Sequence, residues 1–188
     1  MSRRLLPLAL ALALTACSEP TPSDPLPRPT LAPAEFGASV SLAQRLSVER
    51  LDGQGAARVL DALLEIDANS VRLVGLALGQ RVLRLEWDGR QLQSERHPLL
   101  PGEVDPARVL RDVQLAYWPT AALKAALPPG WTLLDNGRER QLLQGRAIGL
   151  IVRYPGEPRW QGRVELENRL EGYRLSIESL PQTSESQP

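Results

Sequence analysis

The chain has 188 residues, 22 basic and 22 acidic side chains for a net charge of zero, one histidine and one cysteine. Balanced charge excludes the basic surface that nucleic acid demands, and a lone cysteine excludes an intramolecular disulfide framework. The sequence also lacks clustered metal ligands, a GxSxG elbow and a phosphate-cradling glycine loop.

In chain order, Arg3 and Arg4 precede an apolar stretch from Leu5 to Leu14 and the small residues Thr15-Ala16. That is the layout of a secretory signal over residues 1–16. The apolar part is about half of the roughly 20 residues that a membrane-spanning helix needs. Loss of the signal would leave 20 basic against 22 acidic residues. Cys17 follows at once, and from Ser18 to Pro33 the chain carries six prolines. Such a segment favours extended polyproline geometry, so residues 17–33 are expected to form a tether of up to ~50 Å.

Period-two alternation begins after Phe36. Val40, Leu42, Leu46 and Val48 share one face of a strand, with Ser41, Arg45, Ser47 and Glu49 on the other. Leu60, Ala62, Leu64 and Ile66 repeat the pattern, as do Leu83, Leu85 and Trp87. Turn signals at Asp52–Gly55, Asp67–Ser70, Gly79-Gln80 and Asp88-Gly89 separate these runs. A five-strand antiparallel meander over residues 40–96 is the simplest reading.

Asp105-Pro106 marks a helix start, a capping side chain followed by proline at the first helical position. Leu110, Val113 and Tyr117 recur at helical spacing with Arg108, Arg111 and Asp112 between them, and Pro119 ends the run. Thr120–Leu127 reads as a second short helix around Leu123, stopped by Pro128-Pro129-Gly130. Both are amphipathic and need an apolar surface. Strand signals then return: WTLLD, the hairpin dipeptide Asn136-Gly137, RERQLLQ, AIGLIVRY with Ile148, Leu150 and Val152 alternating, and the pair RWQGRVELEN and GYRLSIESL. The predicted fold is mainly β (α+β): about ten antiparallel strands in one domain over residues 34–181, a two-helix insert, and a polar tail at 182–188.

The order Leu14-Thr15-Ala16-Cys17 resembles the lipobox of bacterial lipoproteins, which implies that Cys17 carries the lipid anchor. By the same resemblance Ser18, which is not aspartate, implies sorting to the outer membrane, facing the periplasm. The lipobox, the proline-rich segment, the many strands and the mid-chain helices are similar to the LolA/LolB superfamily. QLAYWPTAALKAALPPGWTLL, RERQLLQ, IGLIVRYPG and VELENRLEGYRLSIES more specifically resemble a Gram-negative lipoprotein family known as domain of unknown function 3261, over roughly residues 36–181. Its members are often encoded among aryl-polyene lipid biosynthesis genes.

The resemblance implies a strongly curved sheet or open half-barrel around an apolar cavity, lidded by the helices, that carries lipidic or acylated cargo. The cavity wall would fall on Leu42, Leu46, Leu60 and Leu64, on Leu83, Leu85 and Trp87, and on Ile148, Leu150 and Val152. The lid would present Leu110, Val113, Tyr117 and Leu123. The same alternation describes a filled core with the helices as a plain cap, and the residues alone leave both open. Expected partners are the membrane through Cys17, the lipidic ligand, and lipoprotein-transport or polyene-export components. A monomer without metal, cofactor or catalytic activity is expected. The alternative is a structural or assembly lipoprotein of an envelope complex.

Other residues have plainer readings. His97 lies in a loop, where a lone histidine is solvated. Asp88 and Asp135 belong to turns, and Arg138 and Arg140 read as an exposed strand face or, less simply, as contacts for anionic lipid heads. Trp118 and Trp131 fit either a cavity rim or packing around the Pro128-Pro129 turn. Leu99 and Leu100 in HPLLPG are a candidate for the membrane-inserting protrusion that LolB carries.

Overall fold

The computed structural model describes residues 25–102 and 104–182. The signal, Cys17, Ser18 and all but the first residue of the predicted tail lie outside the described residues. Ten strands form one antiparallel sheet: β1 (Val40–Arg50), β2 (Arg58–Ile66), β3 (Val71–Ala77), β4 (Gln80–Trp87), β5 (Leu92–Arg96), β6 (Trp131–Asp135), β7 (Glu139–Gln144), β8 (Ala147–Arg153), β9 (Gly162–Asn168) and β10 (Tyr173–Pro181). Helices α1 (Pro106–Tyr117) and α2 (Thr120–Ala126) connect β5 to β6.

The strand order is β5-β4-β3-β2-β1-β10-β9-β8-β7-β6. Two five-strand meanders are therefore joined by pairing of the first and last strands, with Leu46 opposite Ile177 and Val48 opposite Leu175. The sheet is not closed, and its two edges, β5 and β6, are the strands that flank the helices. Cross-strand register aligns the aliphatic residues. Leu42, Leu64, Leu73 and Leu85 form one row, and Val48, Leu175, Leu166 and Val152 another.

Local chemistry explains the boundaries. The Asp105 carboxylate caps α1 by accepting from Ala107 N–H at 3.1 Å. Asp67 and Asp88 each accept two backbone N–H bonds within their turns. The β3–β4 turn is Leu78-Gly79, one residue earlier than predicted, and both residues have positive φ, 50° and 75°. A two-residue hairpin needs that conformation to match strand twist, and leucine adopts it here against its own preference.

Two bulges break the simple alternation. One lies at Gly75/Leu76, where β4 contains the extra residue Val82, so that Val82 and Leu83 are both buried. The other lies at Leu142/Leu143, where β8 contains the extra residue Gly149. It pairs Ile148 with Leu143 rather than Leu142 and removes Ile148 from the row that Leu150 and Val152 occupy. Grouping Ile148 with the cavity wall is thereby corrected: a single inserted residue reverses the face of everything before it.

The boundary of the folded unit also moves. Leu26 and Leu31 are 1% and 3% exposed and belong to the core. Residues 26–33 therefore serve as a structural strap, and the tether read from prolines cannot extend to Pro33. Proline content predicts an extended backbone but says nothing of what its intervening leucines touch.

Candidate functional site

The face of the sheet under α1 and α2 is aliphatic. Leu42, Leu64, Leu83, Leu85, Trp87, Leu150 and Val152 are all in the core, with Leu46 and Leu60 half-buried against it. From the helices, Leu110, Tyr117 and Leu123 are buried in the same cluster, and Val113 packs at its margin. The predicted wall and cap residues, Ile148 excepted, are thus brought together. Sequence reading missed Leu115, 0% exposed, and the strap leucines Leu26 and Leu31. Leu115 is one helical turn from Arg111 and off the Leu110, Val113 and Tyr117 spacing, so only its apolar character could have marked it. The strap leucines were hidden by their prolines.

The strap runs beside α1. Arg28 pairs with Asp105 at the start of the helix at 3.2 Å, and Leu31 carbonyl accepts from Gln114 Nε2 at 3.0 Å and from Trp87 Nε1 at 2.9 Å. Trp118 Nε1 donates to Ala32 carbonyl at 3.2 Å. Beyond the strap, Phe36 meets the rings of Trp118 and Trp160 at 5.2 and 5.1 Å between centroids. Trp118 is fully buried and packs in the core.

Two buried arginines tie α1 to the sheet, and both correct the expectation that helix and strand charges face water. Arg140 is 0% exposed. Its guanidinium donates to Leu115, Ala116 and Trp118 carbonyls at 2.6, 3.3 and 2.9 Å, and its Nε donates to Asp135 at 2.9 Å. These carbonyls are among those that a helix end leaves without intrahelical partners, and a cation there also suits the helix dipole. Tyr154 OH adds a bond to Ala116 carbonyl at 2.7 Å.

Asp135 is therefore far more than a turn residue. It accepts from Arg140, Thr120 and both terminal nitrogens of Arg159, the last at 2.7 and 2.8 Å. Burial alone would push its carboxyl up, but the bonds from Arg159, Gly137 N–H, Thr120 and Arg140 outweigh that and hold it well below the usual carboxylate range. Arg159 also stacks over Tyr154, 4.6 Å from the ring centroid.

Midway along α1, Arg111 makes a bidentate pair with Glu171 at 3.0 and 2.6 Å and bonds Asp112 at 3.0 Å. Tyr173 OH donates to the same Asp112 carboxylate, and Asn168 holds Glu171. Burial raises the Asp112 carboxyl more than Arg111 lowers it. A third polar group sits within the apolar face: Gln44 Nε2 donates to Ser179 Oγ at 2.9 Å and to Tyr117 OH at 3.3 Å. Burial pushes the Tyr117 hydroxyl up to about 12, partly offset by Ser179 and Gln44.

Two clefts open elsewhere. One of about 270 Å³ lies between the Phe36, Trp118 and Trp160 rings and Arg140 and Arg159. One of about 530 Å³ spans β2, β1 and β10 and includes Leu63, Ala43 and Leu180. His97 is exposed, its Nδ1 accepting from Leu99 N–H. Leu99 is 72% exposed but Leu100 is buried at 6%, so only half of the HPLLPG pair can protrude. Leu78, at the β3–β4 turn, is fully exposed. Among the described residues no helix is long and apolar enough to cross a membrane, and no group of three or more His, Cys, Asp or Glu is placed to hold a metal ion.

The family described as "Protein of unknown function (DUF3261)" matches residues 41–181, and the chain belongs to it. No curated protein matches. Among solved structures, the chain is similar to the crystal structure of a LolA superfamily protein from Nitrosomonas europaea, at 13% identity and a TM-score of 0.44, over 80% of this chain and 87% of that one.

Proposed function

Starting from membership of that family, we propose that the domain binds a lipidic or acylated ligand, without transforming it, on the aliphatic face beneath α1 and α2. One observation carries this reading: the aliphatic face of a ten-strand sheet is covered by two short helices and an irregular strap, with no second sheet among the described residues. Short covering elements can be displaced where a second sheet could not, and each methylene buried in their place contributes about 0.8 kcal/mol. Buried as the wall residues are, ligand access requires α1, α2 or the strap to move.

Lipidation at Cys17, with Ser18 directing the protein to the outer membrane, would place this face in the periplasm within reach of the bilayer. Leu78, exposed and held in a strained turn, is then the better-placed apolar tip for touching that bilayer, ahead of Leu99. The ligand would be an acyl or polyene lipid handed over by export components. Native mass spectrometry of the domain purified from its host tests the reading. A stoichiometric acyl-bearing adduct is expected; a ligand-free protein that also fails to bind a fluorescent fatty-acyl probe would refute it.

A second reading has its own support. The exposed Leu63 and Leu180 line the larger cleft, as a docking surface in an envelope assembly would require. It gains if the protein is ligand-free and co-purifies with a defined complex.

A further inference from the structure

Three buried side-chain donors from different elements converge on two successive carbonyls of the strap. Trp87 and Gln114 donate to Leu31 carbonyl, and Trp118 donates to Ala32 carbonyl. The donors are 5%, 1% and 0% exposed. The strap answers them with carbonyl oxygens and with the alkyl side chains of Leu26 and Leu31, which enter the core on either side of its prolines. Alkyl groups joined to a carbonyl are the chemistry of an acyl chain and its head.

The match is incomplete at one atom. Gln114 Oε1 is buried and has no hydrogen-bond partner among the described residues. A buried acceptor left unpaired is costly, and Ala32 N–H of the strap is committed elsewhere, to Glu35 at 2.7 Å. Because Oε1 and Nε2 end the same planar amide, a group that fits Gln114 fully presents a carbonyl oxygen and a donor side by side. A protonated carboxyl and a primary amide both do so; an ester does not.

We propose that residues 26–32 are the built-in occupant of an acyl-carbonyl site, and that the external ligand displacing them is an alkyl chain ending in a carbonyl with an adjacent donor, a neutral fatty acid being the simplest case. This rests on the acyl-binding reading above. The ligand's carbonyl takes the bonds of Trp87 and Gln114 from Leu31, its O–H or N–H satisfies Gln114 Oε1, and its chain replaces Leu26 and Leu31. Since the strap must leave first, apparent affinity is reduced by the fraction of molecules in which it is seated.

The test is calorimetric titration of the full chain with palmitamide and with methyl palmitate, which differ in the donor, on the wild type and on Leu31→Ala. The wild type is expected to bind the amide at least tenfold more tightly than the ester, and Leu31→Ala to bind both several-fold more tightly than the wild type does. Hydrogen exchange at residues 26–32 of the wild type is expected to accelerate on saturation, a measurement that needs no variant. Should Leu31→Ala fail to fold, Gln114→Met replaces it, with the amide preference expected to vanish. Equal affinities with unchanged exchange in the strap would overturn the inference and leave acyl binding standing elsewhere on the face. Absence of binding to either probe by wild type and variant would overturn both.

Discussion

Arg140 and Asp135 show how much one pair of side chains can decide. A fully buried guanidinium that serves three helix carbonyls and one carboxylate cannot lose its counter-charge cheaply, because the charge stays in a dry site. Asp135→Asn should therefore cost about 3–5 kcal/mol, read from urea unfolding. It should also flatten the acid limb. With its folded-state carboxyl held low, Asp135 contributes fully above its unfolded value of about 3.9, and that contribution is lost as pH falls below it. The variant should thus lose less stability than the wild type between about pH 5 and 2. Leu78→Asn should act oppositely. Asparagine tolerates positive φ, so the turn should gain about 1 kcal/mol in thermal unfolding, while binding to anionic vesicles should fall.

Neither arginine was legible as buried. Arg111 falls between apolar positions of α1, and Arg140 alternates with Glu139 and Gln141 on a strand, so by polarity alone each faces water. Their burial depends on carbonyls and carboxylates brought from distant elements, which no local pattern records.

At the scale of elements, alternation and turn signals together predicted about ten strands, as observed, and the Asp105-Pro106 signal began α1 at the observed residue. What alternation could not carry was the bulges, because an extra residue leaves composition unchanged while reversing a face, as Ile148 shows. The strap was missed for a different reason: six prolines dominate the composition of residues 18–33 around it, and two leucines determine its position. Leu26→Ala should cost about 2–5 kcal/mol in chemical denaturation, the range for a buried leucine. A free tether would predict no change.

At the scale of the molecule, the sheet joins its first and last strands at the centre and leaves β5 and β6 as two separate edges. The helices and strap therefore cover an apolar surface while the edges stay apart, and a bound chain can be admitted without breaking strand pairing. The anchor is a separate claim. Cys17→Ala should abolish incorporation of labelled palmitate and release the protein from the membrane fraction, while Ser18→Asp should move it to the inner membrane on a density gradient.

The most direct measurement for acyl binding beneath the helices is photocrosslinking of the full-length protein with a diazirine-bearing fatty-acyl amide, followed by peptide mapping. Binding on the aliphatic face predicts label on β1–β4 residues such as Leu42, Leu64 and Leu85 and on α1 around Leu115, with competition by unlabelled palmitamide. Label confined to Leu78, Leu99 or the Leu63–Leu180 surface, or no saturable label, would contradict it.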